Sequence, residues 1–90
     1  MRCYIVIFEV GDPTKIPLLI DKLRTSFKGY CPLTAHSWAI LTDKKSAEVR
    51  DLLRPCLGTG DRLFVFRSGT EGAWLNAYGD KNSEWLKKNL

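Results

Sequence analysis

A chain of 90 residues makes one domain, and its 44% hydrophobic and 27% charged residues support a folded core and exclude a disordered segment. No apolar run approaches the roughly 20 residues of a membrane helix. Met1-Arg2 ahead of the short run Cys3 to Phe8 lacks the length and cleavage site of a secretory leader, so a cytoplasmic protein away from membranes is expected. The net charge of +4 permits a polyanionic partner without naming one.

Residues 3–10, CYIVIFEV, read as a first strand rich in Ile, Val, Tyr and Phe. Asp12 or Thr14 caps a helix entered through Pro13. Ile16, Leu19, Ile20, Leu23 and Phe27 then form an apolar stripe at helical spacing. Gly29 is expected to close that helix as a left-handed cap. Tyr30 to Thr34 and Ser37 to Thr42 predict a hairpin turning near Ala35-His36, with Pro32 placing the first of the two strands at an edge.

Asp43 or Ser46 begins a second helix carrying Val49, Leu52, Leu53 and Cys56 on one face, with Pro55 loosening its last turn. GTGD, residues 58–61, is a turn, and Leu63 to Phe66 is the fourth strand. The order β-α-β-β-α-β predicts an α+β fold of the ferredoxin-like kind: an antiparallel four-stranded sheet with two helices on one face. Residues 1–67 form that core. Residues 68–90 form a C-terminal extension packing on its own or a partner subunit: SGTEG as a loop, AWLNAY as an extended piece, and NSEWLKKNL as a short helix capped by Asn82 or Ser83.

Strand alternation separates Tyr4, Val6, Phe8 and Val10 from Cys3, Ile5, Ile7 and Glu9. The wholly apolar set belongs under the helices, which leaves Ile5 and Ile7 on the open face. The expected interface of a homodimer is built on Ile5, Ile7, Leu63 and Val65, unless the aromatic tail folds over that face instead.

Cys3, Cys31 and Cys56 are an odd number without paired spacing, which fits reduced thiols better than disulfides, and no Cys-x-x-Cys or Cys-x-x-His pair supports a zinc site with His36. Lys28-Gly29-Tyr30 matches the start of an aromatic RNA-reading motif but stands at a helix end. GTGD and SGTEG lack the helix-opening context of a phosphate loop. Arg50, Arg54, Arg62 and Arg67 are the candidate phosphate contacts for DNA or RNA, a set that a dimer would double.

The element order, the apolar first strand closed by an acid, the D-x-L-x-V run Asp61, Leu63, Val65 and the ending EWLKKNL together resemble the small CRISPR-associated proteins that pair with the integrase in the adaptation complex, and their stand-alone relatives. The resemblance covers residues 3 to about 67 as element order, and it implies a dimer formed through the sheets, often with exchanged C-terminal segments. Some members are metal-dependent nucleases that use an aspartate at the end of the first strand. Glu9 occupies that place here, one methylene longer, and its second-strand run GYCPLT departs from the family pattern.

A nuclease reading would pair the two Glu9 carboxylates of a dimer, with Asp61 as a further ligand, around Mg²⁺ or Mn²⁺. The plainer reading pairs Glu9 with Arg62 across the adjacent strands. The expected function is phosphate-directed nucleic-acid binding with little or no catalysis. The alternatives are a Mg²⁺- or Mn²⁺-dependent phosphodiesterase and a protein-interaction or antitoxin-like module acting through the tail.

Overall fold

The computed structural model describes residues 1–69 and 71–90. Its first strand, β1 (Arg2–Glu9), lies inside the sheet, antiparallel to β3 (Ser37–Thr42) on one side and to β4 (Arg62–Arg67) on the other. β2 (Gly29–Thr34) pairs only with β3, so the order is β2-β3-β1-β4. Pro32 therefore lies on an edge strand, where its missing N–H is tolerated, and the β2–β3 register shifts between Pro32 and Thr34. α1 (Ile16–Ser26) links β1 to β2, and α2 (Ser46–Leu53) links β3 to β4, which is the ferredoxin-like arrangement. Among the described residues no helix is long and apolar enough to cross a membrane.

The helix side of the sheet holds the main core. Tyr4, Val6 and Phe8 of β1 and Trp38 and Ile40 of β3 pack against Leu19, Leu23 and Phe27 and against Val49 and Leu53. This is the alternation expected of β1, with the uninterrupted apolar set under the helices. Asp12 accepts a hydrogen bond from the Thr14 amide (3.0 Å) and opens a single turn of 3-10 helix, Pro13–Lys15, that runs into α1. At the start of α2 the Glu48 carboxylate accepts from the Lys45 amide (2.9 Å), half of a capping box, so Lys45 is the cap rather than Asp43 or Ser46. Pro55 acts as expected, and the chain tightens into a 3-10 turn over Arg54–Cys56.

Gly29 departs from expectation. It is the first residue of β2 and does not adopt a left-handed conformation. A Cβ there would lie 2.7 Å from Leu41 Cδ1, so any other residue would have to displace the Leu41 side chain of the neighbouring strand.

The second face of the sheet is covered in part by α3 (Asp80–Asn89). Gly79, with φ of 85°, turns the chain into this helix, three residues earlier than a cap at Asn82 would allow. Leu86 is buried with Cys3, Cys31 and Ala39, and half-buried Ile5, Leu33, Leu41 and Trp85 pack around them. The Asn82 side chain donates to the Pro32 carbonyl (3.1 Å), which ties α3 to β2. The C-terminal helix thus packs on its own sheet. Of the loop expected over 68–72, Thr70 lies outside the described residues, and the segment expected to be extended, 73–78, forms bends without strand pairing.

Leu86→Ala removes the one fully buried side chain of α3 and should destabilise the fold by about 2–5 kcal/mol. Urea unfolding checks this, and a loss within about 0.5 kcal/mol would contradict the packing of α3 on the sheet.

Candidate functional site

α3 covers the open face over β2, β3 and the first half of β1, and stops there. Directly opposed residues of an antiparallel pair share a face, and the β1–β4 register sets Ile5 against Phe66, Ile7 against Phe64 and Glu9 against Arg62. Ile5 sits at the border of the α3 cover, and from there Phe66, Ile7, Phe64 and the Glu9–Arg62 pair form a strip on the uncovered part of the sheet. Ile7 is 39% exposed, Phe64 46% and Phe66 57%. The two phenylalanine rings lie 5.8 Å apart and tilted toward one another. β4 is also the sheet's edge, so its outer backbone is unpaired within the sheet.

The register corrects half of the expected interface. Ile5 and Ile7 lie on the open face, but Leu63 and Val65 lie on the other, half-buried against the core under α1 and α2. Phe64 and Phe66 take their place. The Lys28-Gly29-Tyr30 motif is resolved by the same logic. Tyr30 stands opposite Ile40 on the helix side and packs 5.3 Å from Trp38, so it offers no stacking surface on the open face.

At the end of the strip a hollow of about 340 Å³ is lined by Ile7, Glu9, His36, Arg62 and Phe64, among others. Glu9 and Arg62 form an exposed ion pair across the two strands. Asp61, the proposed partner of Glu9 in metal binding, is engaged elsewhere. Its Oδ1 accepts from the Gly11 amide (3.0 Å) and its Oδ2 from the Gly58 amide (2.7 Å), so one carboxylate ties the loop after β1 to the turn before β4. Those bonds, Gly11 first and Gly58 second, hold the Asp61 carboxyl below its ordinary value, with Lys15 adding attraction. No group of three or more His, Cys, Asp or Glu able to hold a metal occurs among the described residues.

The candidate arginines are not gathered at one place within a protomer. Arg62 is on the open face with Glu9. Arg67 is opposite Tyr4 on the helix side, and the Tyr4 hydroxyl donates to the Lys44 carbonyl (2.8 Å), so Arg67 stands at the end of the sheet where α2 begins. Arg50 lines a small hollow with Leu63 and Val65 and donates to Asp51 (3.0 Å), while Arg54 lies 3.8 Å from the same carboxylate. The Arg50 hydrogen bond is the main cause of the lowered Asp51 pKa. Arg50, Arg54 and Arg67 thus share the α2–β4 side. The cysteines are free, and Cys3 and Cys31 are buried beneath α3 with their thiol pKa values raised by desolvation.

Neither a family model nor a curated protein matches the chain. Among solved structures, the crystal structure of a hypothetical protein from Thermus thermophilus superposes with a TM-score of 0.67 at 20% identity, covering 84% of this chain and 92% of that one. That similarity shows the fold.

The Asp61 clamp has a pH signature. A carboxyl with a lowered folded pKa stabilises above its unfolded value, near 3.9, and loses that contribution as pH falls through the lower folded value. Asp61→Asn should therefore melt below wild type at pH near 7, and the gap should close as pH is taken below about 4. Thermal melts of both proteins across that range check it, and a gap that widens on acidification would contradict the clamp.

Proposed function

We propose that this chain is a homodimeric nucleic-acid-binding protein, similar to the small CRISPR-associated adaptation proteins, that contacts phosphates and has little or no nuclease activity. The observation that carries the absence of strong nuclease activity is the engagement of both strand-end carboxylates. Glu9 is neutralised by Arg62, and both oxygens of Asp61 accept backbone amides. A divalent ion would have to compete with a guanidinium for the first and break a loop clamp for the second. The alternative reading, a Mg²⁺- or Mn²⁺-dependent phosphodiesterase using Glu9 from two subunits, needs the Glu9–Arg62 pair to open in the dimer.

Binding itself is supported by the surplus of four positive charges and by the α2–β4 side, where Arg67 stands with Arg50 and Arg54, two cations answered by the one carboxylate of Asp51. Such contacts position a backbone without reading sequence, so weak sequence selectivity and strong salt dependence follow. The dimer in this reading covers the Ile5, Ile7, Phe64 and Phe66 strip. A protein-interaction role has one specific observation in its favour: Leu75 and Tyr78, ahead of α3, are 87% and 58% exposed.

A mobility-shift titration with duplex and single-stranded probes, with and without Mg²⁺ or Mn²⁺, tests the proposal. Wild type should bind at about 50 mM salt, with affinity falling steeply as salt rises. Arg50→Ala with Arg54→Ala should weaken binding to every sequence and flatten the salt slope by up to about 2 units. Glu9→Gln should leave binding intact or tighter and reveal no lost cleavage. No binding to any probe, or Mn²⁺-dependent cleavage by wild type that Glu9→Gln abolishes, would overturn the reading.

A further inference from the structure

The flank of α3 beside β3 carries a feature that neither the strip nor the arginines involve. A shallow hollow of about 650 Å³ runs along it, lined by Lys81, Glu84, Trp85, Lys87, Lys88 and Asn89 of the helix and by Leu41 of β3. Lys81, Trp85 and Lys88 stand at i, i+4 and i+7, so they share one face of the helix. The adjoining face, with Asn82 and Leu86, is the one that packs on the sheet.

Trp85 lies at the border of the two. It is half-buried, packs with the cluster of Cys3, Cys31, Ala39 and Leu86, and also lines the hollow. Its indole is therefore held from behind by the fold.

The charges around it are unbalanced. Glu84 lies 3.6 Å from Lys87 and answers that lysine. Lys81 and Lys88 form no salt bridge among the described residues. Seven residues of helix separate them, about 10 Å along the axis, so the two lysines stand about one turn before and one turn after Trp85. Leu41 also lines a second hollow, of about 310 Å³, which contains Lys28 and Lys44. Asp43 lines this second hollow as well, so two lysines and one carboxylate stand past the edge of α3 at that end of the sheet.

An aromatic ring fixed between cations suits a nucleotide whose base is unpaired. Base stacking on an aromatic side chain is sequence-tolerant, and the flanking phosphates find the lysines. A duplex keeps its bases inside and presents only phosphates to such a surface. The hollow's size is within the range of about 300–1,000 Å³ typical of small-ligand sites.

We infer that the Lys81, Trp85, Lys88 face of α3 binds single-stranded nucleic acid, with one base stacked on the Trp85 indole and the neighbouring phosphates held by the two lysines. The inference rests on the nucleic-acid-binding reading above and adds to it a strand state and a place.

Fluorescence anisotropy with a short labelled oligothymidylate, and with a duplex of the same length, tests it on the full chain. Trp85→Leu keeps an apolar side chain against the sheet and should lower single-strand affinity roughly 5- to 150-fold, with duplex affinity unchanged. Lys81→Ala with Lys88→Ala alters only exposed side chains and should flatten the single-strand salt slope by about 1.4 units. This second variant keeps the test decisive if Trp85→Leu proves unfolded by circular dichroism. Single-strand binding by wild type that the lysine variant leaves unchanged would overturn the site while the broader reading stood. Binding of duplex without single strand would overturn it in the same way. Wild type that binds neither probe would overturn both.

Discussion

β1 is apolar on both faces and lies between two other strands, and this places a demand on everything packed around it. Tyr4, Val6 and Phe8 have their cover in α1 and α2, which the β-α-β-β-α-β order places on one side without exception. Cys3, Ile5 and Ile7 face the other side, where the ferredoxin-like core has no helix of its own. Exposing such side chains to water forgoes about 25 cal/mol for each Å² of apolar surface. The C-terminal extension meets half of the demand. Leu86 and Trp85 cover Cys3, Cys31 and Ala39, and the cover ends before Ile7, Phe64 and Phe66.

The chemistry at the strand ends follows from the same geometry. Antiparallel pairing of β1 with β4 brings Glu9 and Arg62 face to face, and the loop that joins β4 to the preceding turn puts Asp61 between two backbone amides. Each acid that a hydrolytic reading requires is thus satisfied by a neighbour that the fold supplies. The ion pair is exposed and worth little to stability, but it sets the electrostatics of the rim. Arg62 offsets the acid that would otherwise repel a phosphate approaching the end of the strip.

Much of this was legible in the sequence because each strand and helix has a clear period. The stripe from Ile16 to Phe27 specified α1 and its buried face. The alternation in β1 specified which side the helices would take. The Glu9–Arg62 pair followed from the antiparallel neighbours and is present. That same pair already implied Ile7 beside Phe64 and Ile5 beside Phe66, and the expectation of Leu63 and Val65 in the interface overlooked it. Register, once one pair is known, determines every other pair and its face.

Less was legible where tertiary contacts override local preference. Gly29 has the sequence context of a helix cap, and its actual constraint, Leu41 on the next strand, is visible only in space. Asp61 resembled a metal ligand by its place in a run, whereas its partners, Gly11 and Gly58, lie in two separate loops. The tail had no strong period before Asp80, so neither its bends nor the extent of α3's cover could be read in advance.

The proposed second copy completes the cover that α3 leaves unfinished, and sedimentation equilibrium tests this most directly. Wild type at micromolar concentration should sediment at twice its chain mass of 10.2 kDa. Phe66→Lys should sediment at 10.2 kDa with an unchanged circular dichroism spectrum, since that side chain is exposed within one protomer. A folded wild-type chain that remains at the single-chain mass, with Ile7, Phe64 and Phe66 left in water, would contradict the account.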